Sequence, residues 1–367
     1  MLSNIFNSIV DHRVTGRCIY SLSDLLNIAL LTYICNGEDY VDMSVFAATR
    51  AREFGLLQNC SSSPSPDTFE RLMSAVDPKE IERCLIESGK QFLSSLAEKQ
   101  IVIDGKKLRG TNPTARGTDG DYVLNAFVSE NHMLIGQLAI KNKENEIPAY
   151  PEMLDKLDIE DAVVSIDAMG TQVAVVEKIL QKKAHYFLAA KDNQKYLHEA
   201  IIQAFKYNKP IDESTEMESD HGRVETRRCR ILPAQTIRDE EVISKWSALT
   251  TIVELRSEVY NKKTKETSTT FRYYISDEDF PKAAYYNMLA RGHWSIENLL
   301  HWHLDVNFME DAARARKGFA AQNLSMIRKM ALQIVRNYND KKSIKKRLFY
   351  ASLDSTYMLQ LVQNYKF

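Results

Sequence analysis

The chain has 367 residues, 44% of them hydrophobic and 26% charged, with a formal net charge of −1. These are ordinary globular values, which exclude long disorder and point to two or three domains. Near-neutral charge neither demands nor excludes a polyanionic partner. Its distribution says more: residues 282–347 hold 13 Lys and Arg against 5 Asp and Glu, a local excess of eight positive charges. A basic region of that kind is an electrostatic footprint for a polyanion, with a solvated helical surface as the plain alternative.

The five cysteines, Cys18, Cys35, Cys60, Cys84 and Cys229, include no CxxC pair and are odd in number. That fits a reducing compartment without a structural zinc site. No signal-peptide layout is present, and the most apolar run, residues 25–35, is far short of the roughly 20 residues of a membrane span. A cytoplasmic protein without a membrane partner is expected.

Residues 1–98 read as a helical N-terminal domain. Ser21 to Asp24 opens a helix whose body, LLNIALLTYIC, is apolar all round and so buried. A second helix is expected near 42–53. After the loop CSSSPSP, Ser65 caps a helix with Pro66 at its first position, and Asp77-Pro78 opens another to about 98. Two short helices about a tight loop suit a DNA-reading helix-turn-helix, and equally a plain bundle.

At Gln100 the texture changes. QIVID, DYVLNAFVSE and MLIGQLAIK read as three strands, the last two a hairpin about Asn131-His132. PAYPEMLDKL is a short helix, AVVSIDAMG a strand, TQVAVVEKILQKK an amphipathic helix and HYFLAAKDNQ a fifth strand. Such alternation after a meander predicts a mixed α/β sheet over 99–195. Residues 196–280 form a β-rich insertion built on RVETRRCRIL, SALTTIVELRSEVY and TSTTFRYYIS. Helices resume over 281–367, where KKSIKKR reads as a solvated face or linker.

Asp104 and Asp167 each end an Ile/Val run and are followed within three residues by Gly. Acids at the carboxyl ends of central α/β strands sit where such folds place their sites. Each alone is equally a turn or cap residue; the pair is more telling. Farther on, His293, Glu297, His301 and Asp305 recur every four residues along one helix face. Their ends lie roughly 18 Å apart along the axis, so one metal cannot take all four. A zinc pair from His293, Glu297 and His301 stays open, but three acids from separate elements suit Mg²⁺ or Mn²⁺. Glu310 and Asp311 are the reserve third acids, and His301 and Asp305 are expected to orient the helix. For Trp294 and Trp302 the plain reading is core packing, and for Trp302 it is preferred.

IVIDGKKLRG, VVSIDAMGTQ, FLAAKDNQ and RGHWSIENLLHWHLDVNFMEDAARAR together resemble the DDE transposases of bacterial insertion sequences, in the group that includes the H-repeat-associated proteins. DHRVTGRCIYSLSDLLNIALL through SPSPDTFERLM resembles that group's N-terminal region, so the likeness spans nearly the whole chain. The resemblance implies a ribonuclease-H-like core: a five-stranded mixed sheet flanked by helices, with Asp104 and Asp167 on neighbouring strands and Glu297 on a later helix. It implies a catalytic triad of these three residues, two Mg²⁺ or Mn²⁺ ions per site, and cleavage and joining of double-stranded DNA by a homodimer on paired ends, in a bacterial nucleoid. Lys106, Arg109 and Lys191 would contact phosphates, and Asn193 and Gln194 would add hydrogen bonds. The wider class places Tyr, Arg and Lys around the Glu where this chain has Ala290, His293 and Leu304. That departure leaves His293, Trp294, Asn298, Arg314 and Arg316 as candidates to grip DNA near the cut. The rivals are a metal-dependent nuclease that never joins, an inactive DNA-binding remnant, and an unrelated zinc hydrolase.

Overall fold

The computed structural model describes residues 5–14, 16–92, 95–111, 120–140, 146–220 and 222–365. The N-terminal region is helical. Helix α1 (Leu22–Ile34) starts where the Ser21 hydroxyl accepts from the Asp24 amide, and every residue from Leu25 to Ile34 is buried. Helix α2 (Tyr40–Thr49) is capped by Asp39, and a 3₁₀ turn at Ala51–Phe54 ends the expected second helix. Helix α3 (Pro66–Ala75) follows Ser65 with proline at its start, and α4 (Pro78–Phe92) follows Asp77. The expected extension of α4 runs into residues 93–94, outside the described residues, and 95–98 are not helical.

The sheet is the frame. Its strands are β1 (Gln100–Lys107), β2 (Tyr122–Val128), β3 (Met133–Ile140), β4 (Val163–Ile166), β5 (His185–Ala190), β6 (Asp212–Asp220), β7 (Arg223–Pro233), β8 (Thr251–Asn261) and β9 (Thr267–Ser276). Helices α5 (Glu146–Lys156) and α6 (Val173–Gln181) connect β3 to β4 and β4 to β5. The spatial order is β3-β2-β1-β4-β5-β9-β8-β7-β6. Only β1–β4 and β4–β5 are parallel. The expected β2–β3 hairpin is present.

One expectation is corrected. The sheet has nine strands, not five. The β-rich stretch does not stand apart, because β9 pairs antiparallel with β5 from Phe187↔Ser276 to Ala190↔Tyr273. A five-stranded sheet would leave one side of β5 with unpaired amides and carbonyls; β9 satisfies them. The stretch also opens with α7 (Lys195–Tyr207), and it carries α8 (Glu240–Ser244) and the unforeseen strand β6. β6 reads DESTEMESD and is largely exposed at the sheet edge. It is held partly through charge: Glu216 and Glu218 face Arg227, and Glu213 faces Arg228, at 2.7–3.3 Å.

Helix α9 (Ala283–His293) leaves β9 and crosses back onto β1 and β4. Gly292 permits this approach, since a Cβ there would collide with the Gln100 side chain. After α10 (Trp302–Asn307) comes α11 (Ala320–Asn337), whose sequence is buried almost throughout. It packs on α1, α3, α4 and β3, and Asn323 donates to the carbonyls of Met73 and Val76 at 2.9 Å, pinning the α3–α4 turn. Helices α12 (Ile344–Leu353) and α13 (Ser355–Asn364) close the chain on α11. The basic run 341–347, which enters α12, is partly inward, with Arg347 buried and bonded to Asp340 at 2.8 Å.

Candidate active site

β1 and β4 lie side by side in parallel, with Ile103 opposite Ile166. One step further along that register puts Asp104 beside Asp167. Asp167 caps the 3₁₀ turn Ala168–Gly170, accepting the Met169 amide at 3.0 Å. Two amide side chains hold that turn from the end of β5. Asn193 donates to the Ala168 carbonyl at 2.5 Å and Gln194 to the Thr171 carbonyl at 2.9 Å.

The third acid arrives on an irregular helix. Between α9 and α10, Glu297–His301 winds as a π-helical turn, with the Trp302 amide bonded to the Glu297 carbonyl. Ile296 and Leu300 are buried beneath it, so the turn is anchored while Glu297 stays half exposed. His301 is buried and joins the carboxylates: Nδ1 lies 3.3 Å from Glu297 Oε2 and 3.6 Å from Asp104 Oδ2. Asp104, Glu297 and His301 offer atoms within 4.8 Å of one another, a metal-sized cluster. Asp104, Asp167 and Glu297 line a single cavity of about 310 Å³, with Lys191, Arg272 and Trp294 at its walls.

Its electrostatics are unbalanced. Burial pushes the Asp104 carboxyl up to about 6; His301 opposes this, and Glu297 and Asp167 add to it. Glu297 is held below the usual carboxylate range by its hydrogen bond with His301. No Lys or Arg of the described residues forms an ion pair with Asp104 or Glu297.

Behind the cavity the pattern reverses. Lys106, expected on phosphates, is only 7% exposed, with its ammonium 2.5 Å from Asp305 and 3.0 Å from Glu310. The reason is the strand's alternation: Lys106 shares Asp104's face but lies deeper, under α10. Glu310 is buried and held down to about 2: Lys106 and Lys329 outweigh the burial that pushes its carboxyl up. Asp311 sits 3.5 Å from Arg109. The two reserve acids therefore already have cationic partners.

His293 does not join the carboxylates. It is buried, its Nδ1 lies 3.2 Å from Ser165 Oγ, and burial pushes its imidazole down to about 4. The His293–Glu297–His301 zinc arrangement is therefore not assembled. Lys191, Asn298, Arg109 and Arg314 are exposed, and Arg316 bonds the Gly110 carbonyl at 3.2 Å. Core packing is corrected for Trp302, which is 52% exposed, and Trp294, a candidate to grip DNA, is 44% exposed. Trp294 stands at the cavity mouth under the Arg272 guanidinium, 5.1 Å from its ring centre. Arg272, Asn125 and Lys329 were not singled out from sequence. Arg272 comes from a strand whose placement beside β5 was unforeseen, and the other two carry no local signature.

With this geometry in place, likeness to known proteins can be weighed. Residues 96–334 match the family model described as "Transposase DDE domain", and residues 3–87 match its associated domain. The chain belongs to the DDE transposase family. Among relatives of this transposase is the Escherichia coli O157:H7 protein named "Putative transposase YncI", 32% identical over 98% of this chain and 94% of that protein. Another is the "H repeat-associated putative transposase YhhI" of Escherichia coli K12, 32% identical over 96% of this chain and 95% of that protein. A piggyBac transposase in a synaptic complex with hairpin DNA overlays loosely, with a TM-score of 0.43 and 13% identity, over 95% of this chain and 75% of that one. Among the described residues, no helix is long and apolar enough to cross a membrane.

Proposed function

We propose that this transposase cuts DNA phosphodiesters at the ends of an insertion sequence and joins the freed ends to target DNA. The observation that carries the reading is the convergence of Asp104, Asp167 and Glu297 on one cavity, with no Lys or Arg among the described residues paired to Asp104 or Glu297. The order β3-β2-β1-β4-β5 within the larger sheet supports reading that unit as a ribonuclease-H-like core, spanning 99–195 and completed by 281–367. Residues 1–98 then form a helical domain that contacts DNA, and 196–280 an insertion carrying Arg272 to the site.

The donors fit a hard divalent cation. They are carboxylate oxygens on rigid elements, and Asp104 is raised by burial, which His301 only partly opposes. Asp104 and Asp167 would hold one Mg²⁺ or Mn²⁺ ion and Glu297 would help hold a second. Such a pair, when bound, supplies Lewis-acid stabilisation of the attacking and leaving oxygens of the phosphodiester. The chain's own residues do the rest. Lys191 and Arg272 face the cavity and attract phosphate. Trp294 and Asn298 line the rim, and Arg109, Arg314 and Arg316 extend the basic surface. Asn193 and Gln194 act through the Asp167 turn that they hold. Hydrolysis frees a 3′-hydroxyl, and that hydroxyl attacks target DNA in the same site. Double-stranded DNA is the partner, engaged by a homodimer on paired ends in the bacterial nucleoid.

The test uses labelled element ends, target DNA and Mg²⁺ or Mn²⁺. Joined product that disappears with Asp167→Asn supports the reading. Cutting without joining would make the protein a nuclease, and end binding without cutting an inactive remnant.

A further inference from the structure

The cluster that faces the cavity includes a histidine, and its role turns on which ring nitrogen carries the proton. Heavy-atom geometry decides this through a chain of three buried side chains. Lys329, on α11, is fully buried and donates to Asn125 Oδ1 at 2.6 Å and also to Gln137 Oε1. Burial opposes the charge on Lys329 and the Glu310 carboxylate supports it; as an ammonium it has hydrogens to give and no acceptor site, so the oxygen of Asn125 must face it. The other end of that amide is then fixed as Nδ2, a pure donor. It lies 3.4 Å from His301 Nε2. A proton on Nε2 would point at the amide's own hydrogens, so Nε2 must present its lone pair.

The ring proton therefore sits on Nδ1, the nitrogen shared between Glu297 at 3.3 Å and Asp104 at 3.6 Å. We propose that His301 is a positioning residue, locked by Lys329 through Asn125 as the Nδ1–H tautomer, and that it is not a metal ligand. Its N–H lies against Glu297, on the π-helical turn, with Asp104 of β1 next to it, and so holds the two carboxylates together at the ion site. The carboxylate lone pairs it does not use remain free for that ion. With the opposite tautomer a nitrogen lone pair would face both carboxylates and compete for the cation. Partners that orient such groups are commonly worth about 10–100-fold in metal affinity.

The positioning role rests on reading Asp104 and Glu297 as ion ligands; the tautomer does not. The first measurement is therefore made on the metal-free full chain. Long-range proton–nitrogen correlation on ¹⁵N-histidine protein, with His301→Gln to assign the resonance, should show Nδ1 protonated and Nε2 bare. The pattern should persist on adding Mg²⁺. Asn125→Asp, which turns the fixed donor into an acceptor, should place a proton on Nε2. A wild-type spectrum with Nε2 protonated, or loss of the Nδ1 proton on Mg²⁺ binding, overturns the proposal. The second measurement is Mn²⁺ affinity by electron paramagnetic resonance. His301→Leu should weaken it about 10-fold, while His301→Gln, which still offers an N–H, should largely restore it. Equal losses in the two variants would show His301 to be a ligand. Unchanged affinity in Glu297→Gln would instead sink the reading of the site itself, whatever the tautomer.

Discussion

Two carboxylate clusters lie one behind the other on the same face of β1. In front, Asp104, Asp167 and Glu297 face a cavity, and among the described residues the basic group that meets Asp104 and Glu297 is an imidazole. Behind, Asp305 and Glu310 are closed over Lys106. The rear cluster contains its own counter-charge and is finished. The front cluster is not, and Asp104 shows the imbalance as a raised carboxyl while Glu310 shows its pairing as a lowered one.

The contrast breaks first on activity. Asp104→Asn, Asp167→Asn or Glu297→Gln should each cut strand cleavage by at least about a thousand-fold, on the order of 4 kcal/mol in barrier, with little change in melting temperature. Glu310→Gln should not mimic that pattern. A gel-based nicking assay beside a thermal melt separates the two. A fully active Asp167→Asn protein would end the assignment.

The rear cluster should break on stability. Lys106→Met strands the buried Glu310 carboxylate and should cost about 3–5 kcal/mol, read by urea unfolding. The same change should leave residual metal binding in whatever fraction stays folded.

Acidity should sharpen the difference. Asp104 titrates near 6, above its ordinary 3.8, so the folded protein holds that proton more tightly than the unfolded chain. Its ionisation destabilises the metal-free fold as pH rises from about 4 to 6, and protons compete with the ion below about 6. The stabilisation by Mg²⁺, measured as a melting shift, should accordingly grow between pH 5 and pH 7. Glu310 has the opposite sign. Its folded value near 2 lies below the ordinary 4.5, so its contribution is present above 4.5 and is lost as pH falls towards 2. A Mg²⁺ shift independent of pH would break the comparison. The smallest effect belongs to Trp302: Trp302→Ser on the exposed face should change stability by about 0.5 kcal/mol or less.

Much of the front cluster was legible in the residues. Asp104 and Asp167 close Ile/Val runs that are apolar enough to read as strands without a partner, although β1 continues past Asp104 to Lys107, and the resemblance supplied their adjacency. Glu297 stood out because a carboxylate flanked by Trp294, Ile296 and Leu299 has no packing reason to be there. The rear cluster was illegible. Lys106 meets Glu310 across some two hundred residues, and no local pattern encodes that encounter. Hence a lysine two residues after a catalytic-looking Asp reads as a phosphate contact. β6 was missed because an edge strand of Glu, Asp, Ser and Thr shows no apolar alternation. Its register comes from arginines on the next strand. Trp302 was misjudged on its apolar bulk alone; two positions from buried Leu300 and Leu304, about 200° around a helix from each, it faces outward.

That turn also constrains how the segment can vary. A π turn is an α-helix that has absorbed one extra residue. Its hydrogen bond from Trp302 to Glu297 spans five positions where an ordinary turn spans four. Removing one residue between them would restore regular winding and leave the downstream helix where it is, because the wide turn already holds its extra residue within one revolution. Asp305 would still meet Lys106, but Glu297 and His301, four positions apart across the turn, would be three apart. The spacing of that pair, as much as its letters, is what a working copy must inherit.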